Sequence, residues 1–86
     1  MKSLLKNYID LLTLEKAKEF SLKNNFNLTD NELNYILKLV KKNYDEILLN
    51  DTKYLEDLKN NINPSEFIKI KELYLYYKNK YKGYLF

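Results

Sequence analysis

Residues 28–40 read Leu28-Thr29-Asp30-Asn31-Glu32-Leu33-Asn34-Tyr35-Ile36-Leu37-Lys38-Leu39-Val40. Thr29 followed three residues later by Glu32 is a capping box. The hydroxyl accepts from the Glu32 amide and the carboxylate returns to the Thr29 amide. Leu28 just before the cap and Leu33 one turn in form the matching hydrophobic staple. Leu33, Ile36, Leu37 and Val40 then repeat at helical spacing. The stretch therefore predicts a helix with a fixed start. Its end is open: Lys41, Lys42 and Asn43 suit a helix C-terminus, yet the apolar pattern also runs on through Tyr44, Ile47 and Leu48.

Outward from this helix the same signals recur. Upstream, Leu5, Tyr8, Ile9 and Leu12 share one face of a first helix from Lys2 or Ser3 to Leu11. Thr13 caps a second, about 14–24, with Leu14, Ala17, Phe20 and Ser21 inward. Asn24-Asn25 stops it, because asparagine tolerates the left-handed conformation at a helix end. Phe26 and Leu28 are apolar residues in the connection and read as plugs for the core. Downstream, Asn50 or Asp51 opens a fourth helix, about 51–60, carrying Tyr54, Leu55 and Leu58. Asn60-Asn61 ends it and Ile62 tucks in. Asn63-Pro64-Ser65-Glu66 starts the last helix, about 64–82, with asparagine as cap, proline at the first turn and Glu66 at the third position. Gly83 stops it.

The reading is all-α: a small irregular bundle of about five short helices forming one domain over 1–86. A single glycine leaves little material for hairpin turns. The expected core is Leu5, Ile9, Leu12, Phe20, Phe26, Leu28, Leu33, Ile36, Leu37, Val40, Leu48, Leu55, Leu58, Ile62, Phe67, Ile70 and Tyr74. A chain of 86 residues buries only roughly 60–65% of its unfolded surface, so that core is small.

Composition removes much chemistry. There is no Cys, His, Trp, Arg or Gln. That excludes disulfides, thiol nucleophiles and thiolate zinc sites. It also removes the usual acid–base residue and the bidentate phosphate clamp. Asp, Glu, Lys, Tyr and the serines Ser3, Ser21 and Ser65 remain, and no spacing groups them. Asp45-Glu46 and Glu56-Asp57 are adjacent pairs that diverge on a helix. No catalytic residue, cofactor or metal is expected. The apolar runs are far below the ~20 residues of a membrane span, and Met1 to Lys6 does not resemble a signal peptide. The expected location is cytoplasmic.

The net charge is +3 with lysine the only cation. Residues 1–66 carry ten lysines against eleven carboxylates, while Lys69, Lys71, Lys78, Lys80 and Lys82 face only Glu72 in residues 67–86. The Lys/Asn/Ile/Tyr-rich composition also fits A+T-rich coding bias. In the last helix Phe67, Ile70, Tyr74, Tyr77, Tyr81 and Tyr84 are spaced 3-4-3-4-3, a heptad-like seam. Leu73 widens it, and Ile68, Leu75 and Tyr76 lie outside it. Ile68-Lys69-Ile70-Lys71 also alternates like a strand, but no partner strand is evident.

Three readings of the seam follow. Its first half packs on the domain and its end is amphipathic surface; or it meets a protein partner or a second copy, for which tyrosine is suited; or it binds nucleic acid, lysines on phosphates and rings on bases. A helix-turn-helix formed by helices two and three is disfavoured, because the supposed recognition helix opens with Asp30 and Glu32. The leading expectation is a non-enzymatic interaction module using Tyr74, Tyr77, Tyr81, Tyr84, Lys78, Lys80 and Lys82. The alternative is a weak, sequence-nonspecific nucleic-acid binder through the same helix.

Several segments also match a known pattern. These are Leu12-Thr13 before a helix, Ala17-Lys18, the connection Asn25-Phe26-Asn27-Leu28-Thr29, and Val40-Lys41-Lys42-Asn43. The apolar loop to Leu49, Asn50-Asp51 and Ile62-Asn63-Pro64-Ser65 continue it. Together, over about 12–78, the chain resembles the YqfT-like small helical domain of unknown function of low-G+C Gram-positive bacteria. It departs in lacking Arg and Gly around Lys41 to Asn43 and in its tyrosine–lysine tail. The resemblance implies a compact helical, cytoplasmic protein and supplies no site.

Overall fold

The computed structural model describes residues 2–47 and 49–80, with side chains from residue 6 onward. Leu5, Leu48, Tyr81, Lys82, Gly83 and Tyr84, all named above, lie outside what is described. Five helices follow in order: α1 (Lys2–Asp10), α2 (Leu14–Lys23), α3 (Asp30–Ile47), α4 (Asp51–Asn61) and α5 (Pro64–Lys80). The fold is an all-α bundle. Helix α3 is its hub, packed by α1, α2 and α4, while α5 packs on α4.

The helix starts form as their local chemistry dictates. Thr13 is extended at φ −121° and ψ 166°, and its hydroxyl accepts from the Lys16 amide at 3.2 Å. The capping box of α3 closes both ways: Glu32 N–H to Thr29 Oγ1 at 3.1 Å and Thr29 N–H to Glu32 Oε1 at 2.9 Å. The C-terminus of α2 is closed by Asn25 at φ 61°, with Asn25 N–H on Leu22 O and Phe26 N–H on Ser21 O at 2.9 Å. Asparagine here takes the place glycine usually holds. Asn63 caps α5 by accepting from the Ser65 amide at 2.9 Å. Asn50 flanks α4 without a side-chain cap bond.

Both readings of the end of α3 are partly right. The helix continues to Ile47, but Asn43 leaves helical geometry at φ −125° and ψ 18°. Its amide donates back to Leu39 O at 3.0 Å, and its Oδ1 accepts from the Tyr54 hydroxyl at 3.3 Å. A side chain competing for the helix's own carbonyls produces the kink.

The core centres on Leu58, Ile62 and Phe67, with Tyr35, Ile36, Leu39, Leu55 and Ile70 packed against them. Ile9 and Leu33 are buried as expected. Leu12, Phe26, Leu28, Ile36, Leu37, Val40, Leu55, Ile70 and Tyr74 are only half-buried. Phe20, placed in the core from its periodicity, is 48% exposed. The period identifies the face it sits on, but no element among the described residues encloses that face. Three buried side chains were not on the expected core: Ser21, which the helical period turns inward, Tyr54 and Glu66.

Candidate functional site

Among the described residues, the face that carries Phe20 lines a groove of about 770 Å³. Leu33, Ile36 and Leu37 of α3 form its floor. One wall comes from Leu11, Leu12, Ala17 and Phe20, at the end of α1 and along α2. The opposite wall is α5, through Ile70, Leu73, Tyr74 and Tyr77. Phe26 and Leu28 close one end, and Lys16, Glu19 and Lys23 mark the rim. The lining is overwhelmingly apolar. Phe20 and Tyr77 face solvent from opposing walls, 48% and 41% exposed.

The residues expected to meet a partner are divided by the fold. Tyr74 and Tyr77 both reach the groove. The Tyr74 hydroxyl donates to Asp51 Oδ2 at 3.2 Å, and Lys78 pairs with the same oxygen. Lys78, chiefly, and the Tyr74 hydroxyl hold the Asp51 carboxyl below its ordinary range, against a raising effect of burial. Burial, then the Asp51 charge, pushes the Tyr74 hydroxyl up. These two residues thus fasten the far half of α5 to the start of α4. Lys80 lies away from the groove with its ammonium 5.7 Å from the Tyr76 ring centre, and Tyr76 and Tyr77 meet edge to face at 5.3 Å. Tyr81, Tyr84 and Lys82 lie outside the described residues.

Sequence reasoning missed most of the groove. It read Phe26 and Leu28 as core plugs and Phe20 as core, although all three are apolar and bracket a helix end. It also missed a polar junction beside the groove, where α3 and α5 begin. Glu66, only 4% exposed, accepts from the Asn27 amide and pairs with Lys69 at 3.0 Å. Glu32 accepts from the Asn63 amide at 2.7 Å as well as from Thr29. Glu32 of α3 thus serves the cap residue of α5, and Glu66 of α5 serves the connection that leads into α3. The Thr29 and then the Asn63 backbone amides hold the Glu32 carboxyl below its ordinary value, and the Asn27 backbone amide and then the Lys69 ammonium do the same for Glu66.

Among the described residues no group of three or more His, Cys, Asp or Glu is placed to hold a metal. No described helix is long and apolar enough to cross a membrane. Compared with family models, with curated proteins and with solved structures, the chain matches none. The resemblance to the YqfT-like small helical domain rests on the residues quoted for it alone.

Proposed function

We propose that this chain is a non-enzymatic, cytoplasmic protein–protein interaction module. Its groove receives the apolar face of an amphipathic helix from a partner protein. The observation that carries this reading is the groove itself: an open apolar trough with two aromatic side chains on facing walls, Phe20 and Tyr77. Helix-in-groove recognition needs a trough of this kind, filled by anchors at successive helical turns. Exposed aromatic walls supply large contact area at small entropic cost. The rim residues Lys16 and Lys23 favour an acidic flank on the incoming helix.

The nucleic-acid alternative needs its lysines turned to phosphates. Lys69 pairs with Glu66 and Lys78 with Asp51, which supports the protein-partner reading over it.

The test is capture of partners from the native host by tagged protein, with and without nuclease. The proposal expects a protein that is retained after nuclease and lost when Phe20→Asp and Tyr77→Ala are combined, with helical circular dichroism unchanged. Retention that survives both substitutions, or loss on nuclease alone, overturns it.

A further inference from the structure

The strap 24–29 joins α2 to α3 and closes one end of the groove. It is fixed at both ends, by left-handed Asn25 and by the Thr29 cap. Its apolar residues Phe26 and Leu28 line the groove, while Asn25 and Asn27 between and before them are exposed. The middle of the strap is held from α5. The Asn27 amide donates to Glu66, and Lys69 Nζ donates to Asn25 O at 3.3 Å while pairing with the other Glu66 oxygen at 3.0 Å.

Glu66 is almost fully buried. Departure of the strap takes the Asn27 amide from this buried carboxylate and leaves it only Lys69 of its own helix, a loss that is costly unless water replaces the amide. The strap is therefore either seated with the carboxylate satisfied, or displaced with the Glu66 carboxylate rehydrated beside Lys69 while Phe67 stays in the core. Such an all-or-none pairing is what makes a local element two-state rather than gradually deformable.

We propose that the Glu66–Lys69 pair is a latch that positions the Phe26–Leu28 end wall and sets how open the groove stands. Because α5 also supplies the opposite wall through Ile70, Leu73, Tyr74 and Tyr77, the latch couples two walls of one groove. Glu66 and Lys69 are positioning residues: neither lines the groove. The inference stands on the groove's geometry and not on the identity of its occupant.

The test uses the full chain and the apolar dye 1-anilinonaphthalene-8-sulfonate as probe, with NMR relaxation dispersion on the Phe26 ring and Leu28 methyls. Glu66→Gln keeps the shape but removes the charge that strengthens both bonds. It is expected to raise dye affinity about three- to tenfold by increasing the open fraction. Exchange should appear at Phe26 and Leu28, with Leu58 and Ile62 unchanged. Lys69→Met, at a half-exposed side chain, should act in the same direction and carries the test if Glu66→Gln fails to fold. Glu56→Gln on the exposed face of α4 is the control. Dye affinity and spectra equal to wild type in both variants overturn the latch. So does a perturbation spread equally over Leu58 and Ile62, which would make the pair a stability contact only. The dye reads the groove whatever protein occupies it, so this result is independent of partner capture.

Discussion

Glu32 reaches from α3 to the cap residue of α5, Glu66 reaches from α5 to the connection before α3, and that exchange has a pH signature. Their folded carboxyls ionise below 4.5, held down by backbone amides, and Asp51 is likewise depressed by Lys78. A depressed acid contributes stability that is fully present above its unfolded value and is lost as pH falls through the lower folded one. The melting temperature should therefore hold level at neutral pH and fall on acidification below about pH 4.5. Glu32→Gln and Glu66→Gln should each flatten that fall, as measured by circular dichroism against pH. Tyr54 works in the opposite sense. Its hydrogen bond to Glu46, then its burial, pushes the phenol up from 10.0 to about 12. Its stabilising contribution is complete below the ordinary phenol range and is lost as pH rises through 12. Ultraviolet titration should show a late step to which Tyr54, Tyr74 and Tyr35 all contribute, and Tyr54→Phe should reduce that step without abolishing it. The Thr29–Glu32 bond was legible in the sequence as a capping box; the reach of Glu32 to Asn63 and of Glu66 to Asn27 was not. Glu66 stands at the third position of its helix, where a local capping role is the natural expectation, and its true partner is 39 residues away.

Helices begin where the sequence says they do because a cap is a contact among neighbours. Thr29 and Glu32 need only each other and the backbone between them. Thr29→Ala should accordingly cost about 1 kcal/mol in urea unfolding, with the bundle otherwise intact. Helix ends and kinks are less legible. The lysines and Asn43 after Val40 promised a stop, and the apolar residues beyond promised continuation. The outcome, a helix bent at Asn43, depends on Tyr54 arriving from α4 to share that side chain. Helix α5 shows the same limit. Its apolar residues lie on more than one side, so the pattern announces a helix without saying which side meets the bundle. The fold resolves this by turning Phe67 inward and giving Tyr74 and Tyr77 to the groove, while Ile68 and Tyr76 stay exposed.

At the scale of the molecule, periodicity predicts which face a side chain occupies but not whether anything will cover it. Phe20 and Leu58 both carry convincing apolar signals, and only Leu58 is enclosed by neighbours. Leu58→Ala should cost about 2–5 kcal/mol. Phe20→Ala should change stability by no more than about 0.5–1 kcal/mol, a contrast that denaturant melts of the two variants will read directly. The candidate groove is in this sense what the small core leaves over. The unequal attachment of the helices has a further consequence, for the order in which the molecule comes apart. Helix α3 is packed on three sides, whereas α5 packs on α4 and is tied elsewhere through a few side chains. Amide hydrogens in the middle of α3 should exchange with solvent only when the whole chain unfolds. Those of Tyr76 to Lys80 should exchange by local fraying, orders of magnitude sooner. The far end of α5, which brings Tyr77 to the groove, is thus the part of that helix able to open and reclose while Phe67 stays in the core.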